Sequence, residues 1–183
     1  MQREEAYKLL TEHLKTENLI NHSLAVEAVM RRLAKHFGED DEKWGLAGLL
    51  HDIDYDRTKD DPKRHSMVGA DMLAEKGLPE DVVYAIRVHN EIHGLPLKSL
   101  MDKALYATDP LTGFIVAAAL VKPEKKLEVV DVKSLKKKFK DKAFARGASR
   151  EQMKSCENLG LSLEEFLGLG LEAMQGIAQE MGL

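Results

Sequence analysis

Three features of the sequence predict an all-α fold. Apolar residues recur at steps of three and four along most of the chain, the spacing of one face of a helix. Capping and breaking residues bracket those periodic stretches. Alternating apolar and polar runs are nearly absent, and Val129–Val132 is too short to predict a sheet. The 183 residues, 44% hydrophobic and 32% charged, suit one ordinary core.

The elements follow in chain order. Asn18 is placed to cap a helix that reaches about Phe37, with Gly38 just past its end. Within it Leu19, His22, Val26, Val29, Leu33 and Phe37 share one face, so His22 points inward with apolar neighbours. Asp41–Leu50 reads as a second helix ending near His51, and the Asp-rich segment Ile53–Asp61 as a loop. Pro62 opens the next helix and Gly77 closes it. Pro79 opens another, through Val82, Val83, Ile86 and His89, ended by Gly94 and Pro96. Ser99 caps a helix toward Tyr106, and a separate helix covers Leu111–Val121 before Pro123. Between them Asp109 and Pro110 have the form of an N-cap followed by a first-turn proline. Lys133–Lys142 holds six lysines and one aspartate and reads as a solvated face. Ser162 and Glu165 form a capping box before a last helix to about Met181. No internal boundary stands out, so residues 1–183 read as a single domain, with a core at about 16–121 and a helical appendage at about 123–183.

Charge and composition narrow the function classes. The net charge of −4 supplies no general attraction to nucleic acid. Cys156 is the only cysteine, which excludes an intrachain disulfide, and it reads as a small buried hydrophobe. The start, MQREEAYKLL, has acids and no long apolar run, unlike a secretory signal. The longest apolar stretch falls far short of the roughly 20 residues of a membrane span. The expectation is a cytoplasmic protein without a membrane partner; the oligomeric state is left open.

Four features carry chemistry: His22 inside a helix, the adjacent pair His51 and Asp52, the later His65 and His89, and Asp109 after an apolar helix. Imidazole nitrogens and carboxylate oxygens are the mixed donor set of a divalent ion. Helices can bring such groups together from distant parts of a chain. His93 stands four residues after His89, but Gly94 follows at once, so it reads as a non-ligand; His13 and His36 read as surface residues.

LLHDIDYD, preceded by NHSLAVEAVM and followed by YATDPLTGFIVAAAL, resembles the HD-domain superfamily of metal-dependent phosphohydrolases, over roughly Thr16–Val121. The resemblance implies an all-α bundle with a metal held by His22, His51, Asp52 and Asp109. HSMVGADML and VHNEIHG resemble the subgroup with further histidines, related to HDIG-type members. There Asp52 would bridge to a second metal completed by His65 and His89. Many HDIG-type members carry glycine and then lysine where this chain has Asp54 and Tyr55. Asp54 is then a candidate catalytic or orienting group beside Asp52, and Tyr55 a candidate pocket residue. Lys142 and Arg146 are candidates to replace the lysine in holding substrate phosphate. The implied cofactor is one or two divalent ions: Fe, Mn, Co, Ni, Zn or Mg. The implied reaction is hydrolysis of a phosphomonoester or phosphodiester in a nucleotide or similar small phosphorylated metabolite. The alternative is a non-catalytic metal- or nucleotide-binding regulatory domain on the same scaffold. An RNA-associated role, motivated by the lysine run, is disfavoured by the net acidity and the lack of interleaved aromatic residues.

Overall fold

The computed structural model describes residues 1–183, and the protein is helical without a strand. The helices are α1 (Arg3–His13), α2 (Glu17–Phe37), α3 (Asp41–Leu50), α4 (Tyr55–Thr58), α5 (Met67–Glu75), α6 (Glu80–Val88), α7 (Leu100–Leu120), α8 (Val132–Lys140), α9 (Arg150–Lys154) and α10 (Leu163–Gly176). The all-α expectation therefore holds. The longest, α2 and α7, form the middle of the molecule, with α3 and α6 on one side and α9 and α10 on the other.

Local signals explain most boundaries. Gly38 ends α2 in the left-handed conformation, φ 72°, which a glycine adopts without steric cost. The Asp40 side chain accepts from the backbone N–H groups of Glu42 and Lys43 at the start of α3. Ser99 and Asp102 form a capping box on α7, as Ser162 and Glu165 do on α10.

Several boundaries differ from the sequence expectation. The helix beyond Pro62 begins only at Met67, because residues 62–66 run as turns and Ser66 has φ 69°. The Ile53–Asp61 loop contains the single turn α4. Helix α10 stops at Gly176, short of Met181. Helix α1 and the short α9, unmarked in the sequence reading, are both present.

The largest difference lies in α7, which runs unbroken through Pro110. Pro110 has no N–H for the carbonyl of Tyr106, a defect of about 3 kcal/mol in a helix interior. Met101, Leu105, Leu111, Phe114 and Ile115 are all buried along this helix. Each such burial contributes about 1.5–3 kcal/mol, so together they outweigh the proline. Asp109 is consequently a mid-helix residue and not an N-cap.

One apolar cluster extends from Ala6 to Met181 and includes Phe139, Met153, Cys156, Phe166 and Met174 from the last third. No helix is long and apolar enough to cross a membrane.

Candidate metal centre

Helices α2 and α3 pack tightly at Gly48 and bring His22 to His51. A Cβ on Gly48 would stand 2.9 Å from the backbone of Val26 and Glu27, so only glycine permits this approach. His51 directly follows the last residue of α3, and His89 directly follows the last residue of α6. Both helices thus turn their C-termini toward the same point, and the negative end of a helix dipole favours a cation. Helices α2 and α7 contribute His22 and Asp109 from their interiors.

His22 Nε2 lies 3.1 Å from Asp109 Oδ1, 3.2 Å from His51 Nε2 and 3.6 Å from Asp52 Oδ2. His51 Nε2 is 3.4 Å from that same Asp52 oxygen. The other Asp52 oxygen, Oδ1, is 3.2 Å from His65 Nε2 and 3.4 Å from His89 Nε2. The carboxylate therefore faces two histidine pairs, one with each oxygen. Metal–ligand bonds of about 2.0–2.2 Å at ordinary angles put ligand atoms roughly 2.8–3.6 Å apart. Two overlapping groups could hold an ion, His22 with His51 and Asp109, and His51 with Asp52 and His89. The donor chemistry fits. His89 Nε2 is buried without a hydrogen-bond partner, a costly state that a bound ion would relieve.

The opposite ring nitrogens are all engaged. His51 Nδ1 donates to the Gly48 carbonyl at 2.8 Å, and His89 Nδ1 to the Ile86 carbonyl at 2.6 Å. His65 Nδ1 pairs with Asp54 Oδ1 at 2.8 Å. Thr112 donates its hydroxyl to the Asp109 carbonyl, leaving its oxygen to accept from His22 Nδ1 at 3.0 Å. With Nδ1 as donor, Nε2 carries the lone pair an ion needs.

Burial raises the Asp52 carboxyl, but the charge of His51 and the nearby imidazoles of His65 and His89 outweigh it, holding it well below its ordinary range. Asp109 is lowered by the same balance, through His22 and His51. Burial lowers His65, yet Asp52 and Asp54 together push it up to about 9. Burial likewise lowers His51, but Asp52 and Asp109 beside it raise it well above its ordinary range.

The remaining expected residues fall into different places. Asp54 is buried, with Oδ1 on His65 and Oδ2 accepting from Gly69 N–H at 2.7 Å. Both oxygens are occupied by these partners, and Asp54 holds the His65 ring in place. Tyr55 sets its partly exposed ring edge-on to His65, centroids 5.3 Å apart. His93 donates to the His65 carbonyl at 2.8 Å and thereby anchors that turn. Ala145, Gly147 and Ala148 line a cavity with His22, Asp109 and Pro110, which brackets Arg146 between lining residues. The Arg146 and Lys142 side chains are exposed, at the middle and start of this loop.

Sequence reasoning missed Thr112 and the carbonyls of Gly48 and Ile86. A donor three residues after a carbonyl freed at a helix C-terminus is a legible signal for His51 and His89. Nothing local marks Thr112, which meets His22 across 90 residues.

A family model for the HD domain matches residues 19–135. The chain belongs to the HD-domain family of metal-dependent phosphohydrolases. Among curated HD-domain relatives, ribonuclease Y of Desulfotalea psychrophila is 33% identical over 140 residues, covering 74% of this chain and 26% of that protein. Ribonuclease Y of Oleidesulfovibrio alaskensis is 33% identical over 98 residues, 54% of this chain and 18% of that protein. The chain thus spans only about a quarter or less of these longer relatives. The symmetrical bis(5'-nucleosyl)-tetraphosphatase of Bacillus subtilis is 31% identical over 130 residues, 60% of this chain and 68% of that protein.

Proposed function

We propose that this HD domain hydrolyses a phosphoester or phosphoanhydride bond in a nucleotide or similar small phosphorylated metabolite, using one or two divalent ions. The observation that carries the reading is the division of Asp52 between two histidine pairs, each imidazole tied at Nδ1 and turned toward Asp52 at Nε2. His22, His51, Asp52 and Asp109 would hold one ion; Asp52, His65 and His89 would hold the second. When bound, such an ion supplies Lewis acidity and lowers the pKa of water toward about 7.

The protein's own groups do the rest. Asp52 anchors the centre and is the carboxylate assigned to accept a proton. Asp54 keeps His65 oriented. Arg146 and Lys142, on the loop over the Asp109 cavity, supply the positive charge that phosphate oxygens require. Tyr55 borders the side of the centre occupied by His65. The named substrates of the relatives, RNA and a dinucleoside tetraphosphate, both carry nucleosides joined through phosphates, which supports a nucleotide here.

The test is turnover. Metal-loaded protein is assayed with nucleoside mono-, di- and triphosphates, dinucleoside polyphosphates and a short RNA, using Mn²⁺, Fe²⁺, Co²⁺, Ni²⁺, Zn²⁺ or Mg²⁺. Hydrolysis of at least one nucleotide is expected. Tight nucleotide binding without turnover by any combination would favour the regulatory alternative.

A further inference from the structure

The cavity beside Asp109 shares two lining residues with a second space. His22 and Gly113 bound both that cavity and a groove of about 350 Å³ between α2 and α7. This lies within the range of about 300–1,000 Å³ usual for small-molecule pockets. Ala25, Val116, Leu120 and Met181 give the groove apolar surface, while Asn18 and Asn21 contribute carboxamides. His22 is the one titratable side chain that lines it.

Gly113 marks the junction. Glycine is a poor residue for the interior of a long helix. At Gly48 and Gly170 a Cβ would collide with neighbours, and packing explains the glycine. At Gly113 a Cβ would meet nothing within 4 Å, so packing does not require its absence. The missing side chain leaves clear space where the two cavities meet.

We propose that the α2–α7 groove is the subsite for the uncharged, base-bearing part of a nucleotide whose phosphate lies at the metal centre. The proposal rests on the phosphohydrolase reading and names the half of the substrate that the metal does not touch. Charge assigns the two spaces. A groove with no lysine or arginine is poorly suited to a phosphate, whereas the cavity beside Asp109 is lined by Ala145, Gly147 and Ala148 of the loop that carries Arg146. A nucleobase needs apolar contact for its faces and both donors and acceptors for its edge. Asn18 and Asn21 each offer both, and the apolar residues offer the contact.

Two measurements separate this proposal from the reading beneath it. The first needs no turnover: neutral nucleosides are titrated into the full chain and the side-chain amide resonances of Asn18 and Asn21 are followed by NMR. Saturable shifts are expected in the parent and their loss in Gly113→Leu, which fills the junction with a better helix former. The second compares kcat/KM for a nucleoside phosphate with that for glycerol phosphate, which has no base. Gly113→Leu should lower the ratio at least tenfold, and Asn21→Leu should lower it while retaining the apolar surface. A thermal unfolding temperature at or above the parent's shows that Gly113→Leu is folded. Absence of nucleoside binding in the parent, or equal binding by Gly113→Leu, overturns the groove assignment. Nucleoside binding in a protein that hydrolyses no phosphate ester overturns the catalytic reading and leaves the groove standing.

Discussion

Each of the four clustered imidazoles has Nδ1 engaged by a group of the protein, and this decides which nitrogen faces Asp52. Such outer partners typically govern metal affinity by about 10–100-fold. Thr112→Val, which keeps the shape and removes the acceptor, should weaken binding of one ion by that order in a calorimetric titration. Asp52→Ala should abolish ion binding, because both histidine pairs lose their shared carboxylate. His65→Ala or His89→Ala should reduce the stoichiometry from two to one by elemental analysis. A parent that binds one ion would remove the second site and leave the first. The pH dependence has a definite sign. The folded pKa of His65 stands at about 9, above its ordinary 6.5. Its contribution to stability is complete below the lower value and is lost as pH rises through the upper one. Metal-free protein should therefore lose thermal stability between pH 6.5 and 9, and His65→Ala should flatten that slope. The thiol of Cys156, buried and pushed up to about 11, should not react with a disulfide reagent at pH 8 until the chain unfolds.

At the scale of elements, α2 and α3 are set by one missing methyl group. Gly48→Ala would force these helices apart, an overpacking that typically costs about 1–3 kcal/mol. Because His51 lies three residues further along, the same variant should lose metal affinity as well as stability. Arg150 holds a second element in place. Its guanidinium donates to the carbonyls of Lys138, Phe139, Asp141, Phe144, Ala145 and Ala148, and it lies over the ring of Phe114. These bonds close the loop that carries Lys142 and Arg146. A lysine has one point of charge where arginine has a planar fork. Arg150→Lys should therefore raise KM for a phosphorylated substrate more than it lowers kcat. An equal fall in kcat with KM unchanged would count against the loop as the phosphate-binding element. Helices α2 and α3 were largely legible from periodicity, although α2 opens at Glu17 behind Thr16 and not behind Asn18. The continuity of α7 through Pro110 was not, because only the burial of both flanks shows that the proline penalty is overcome.

For the whole molecule, the last third belongs to the same apolar cluster as the first. Phe114 of α7 is fully buried, with ring centroids 5.5 Å from Phe144 and 6.1 Å from Phe139. Phe114→Ala should cost about 3–5 kcal/mol. The full chain is expected to unfold in one cooperative transition by calorimetry, and residues 1–123 alone should not retain the native fold. Two separate transitions would make the appendage an independent unit.

The sequence by itself determined the helical class, the main helices and the ordered set His22, His51–Asp52, His65, His89 and Asp109, because periodicity, caps and residue chemistry are properties of short segments. Tertiary structure alone decided that α7 is continuous, that Asp54 serves His65, that Thr112 fixes the His22 ring, and that Gly113 borders two cavities. These features join groups up to 90 residues apart. Their outcome depends on which helix faces are buried together, and no local pattern encodes that pairing.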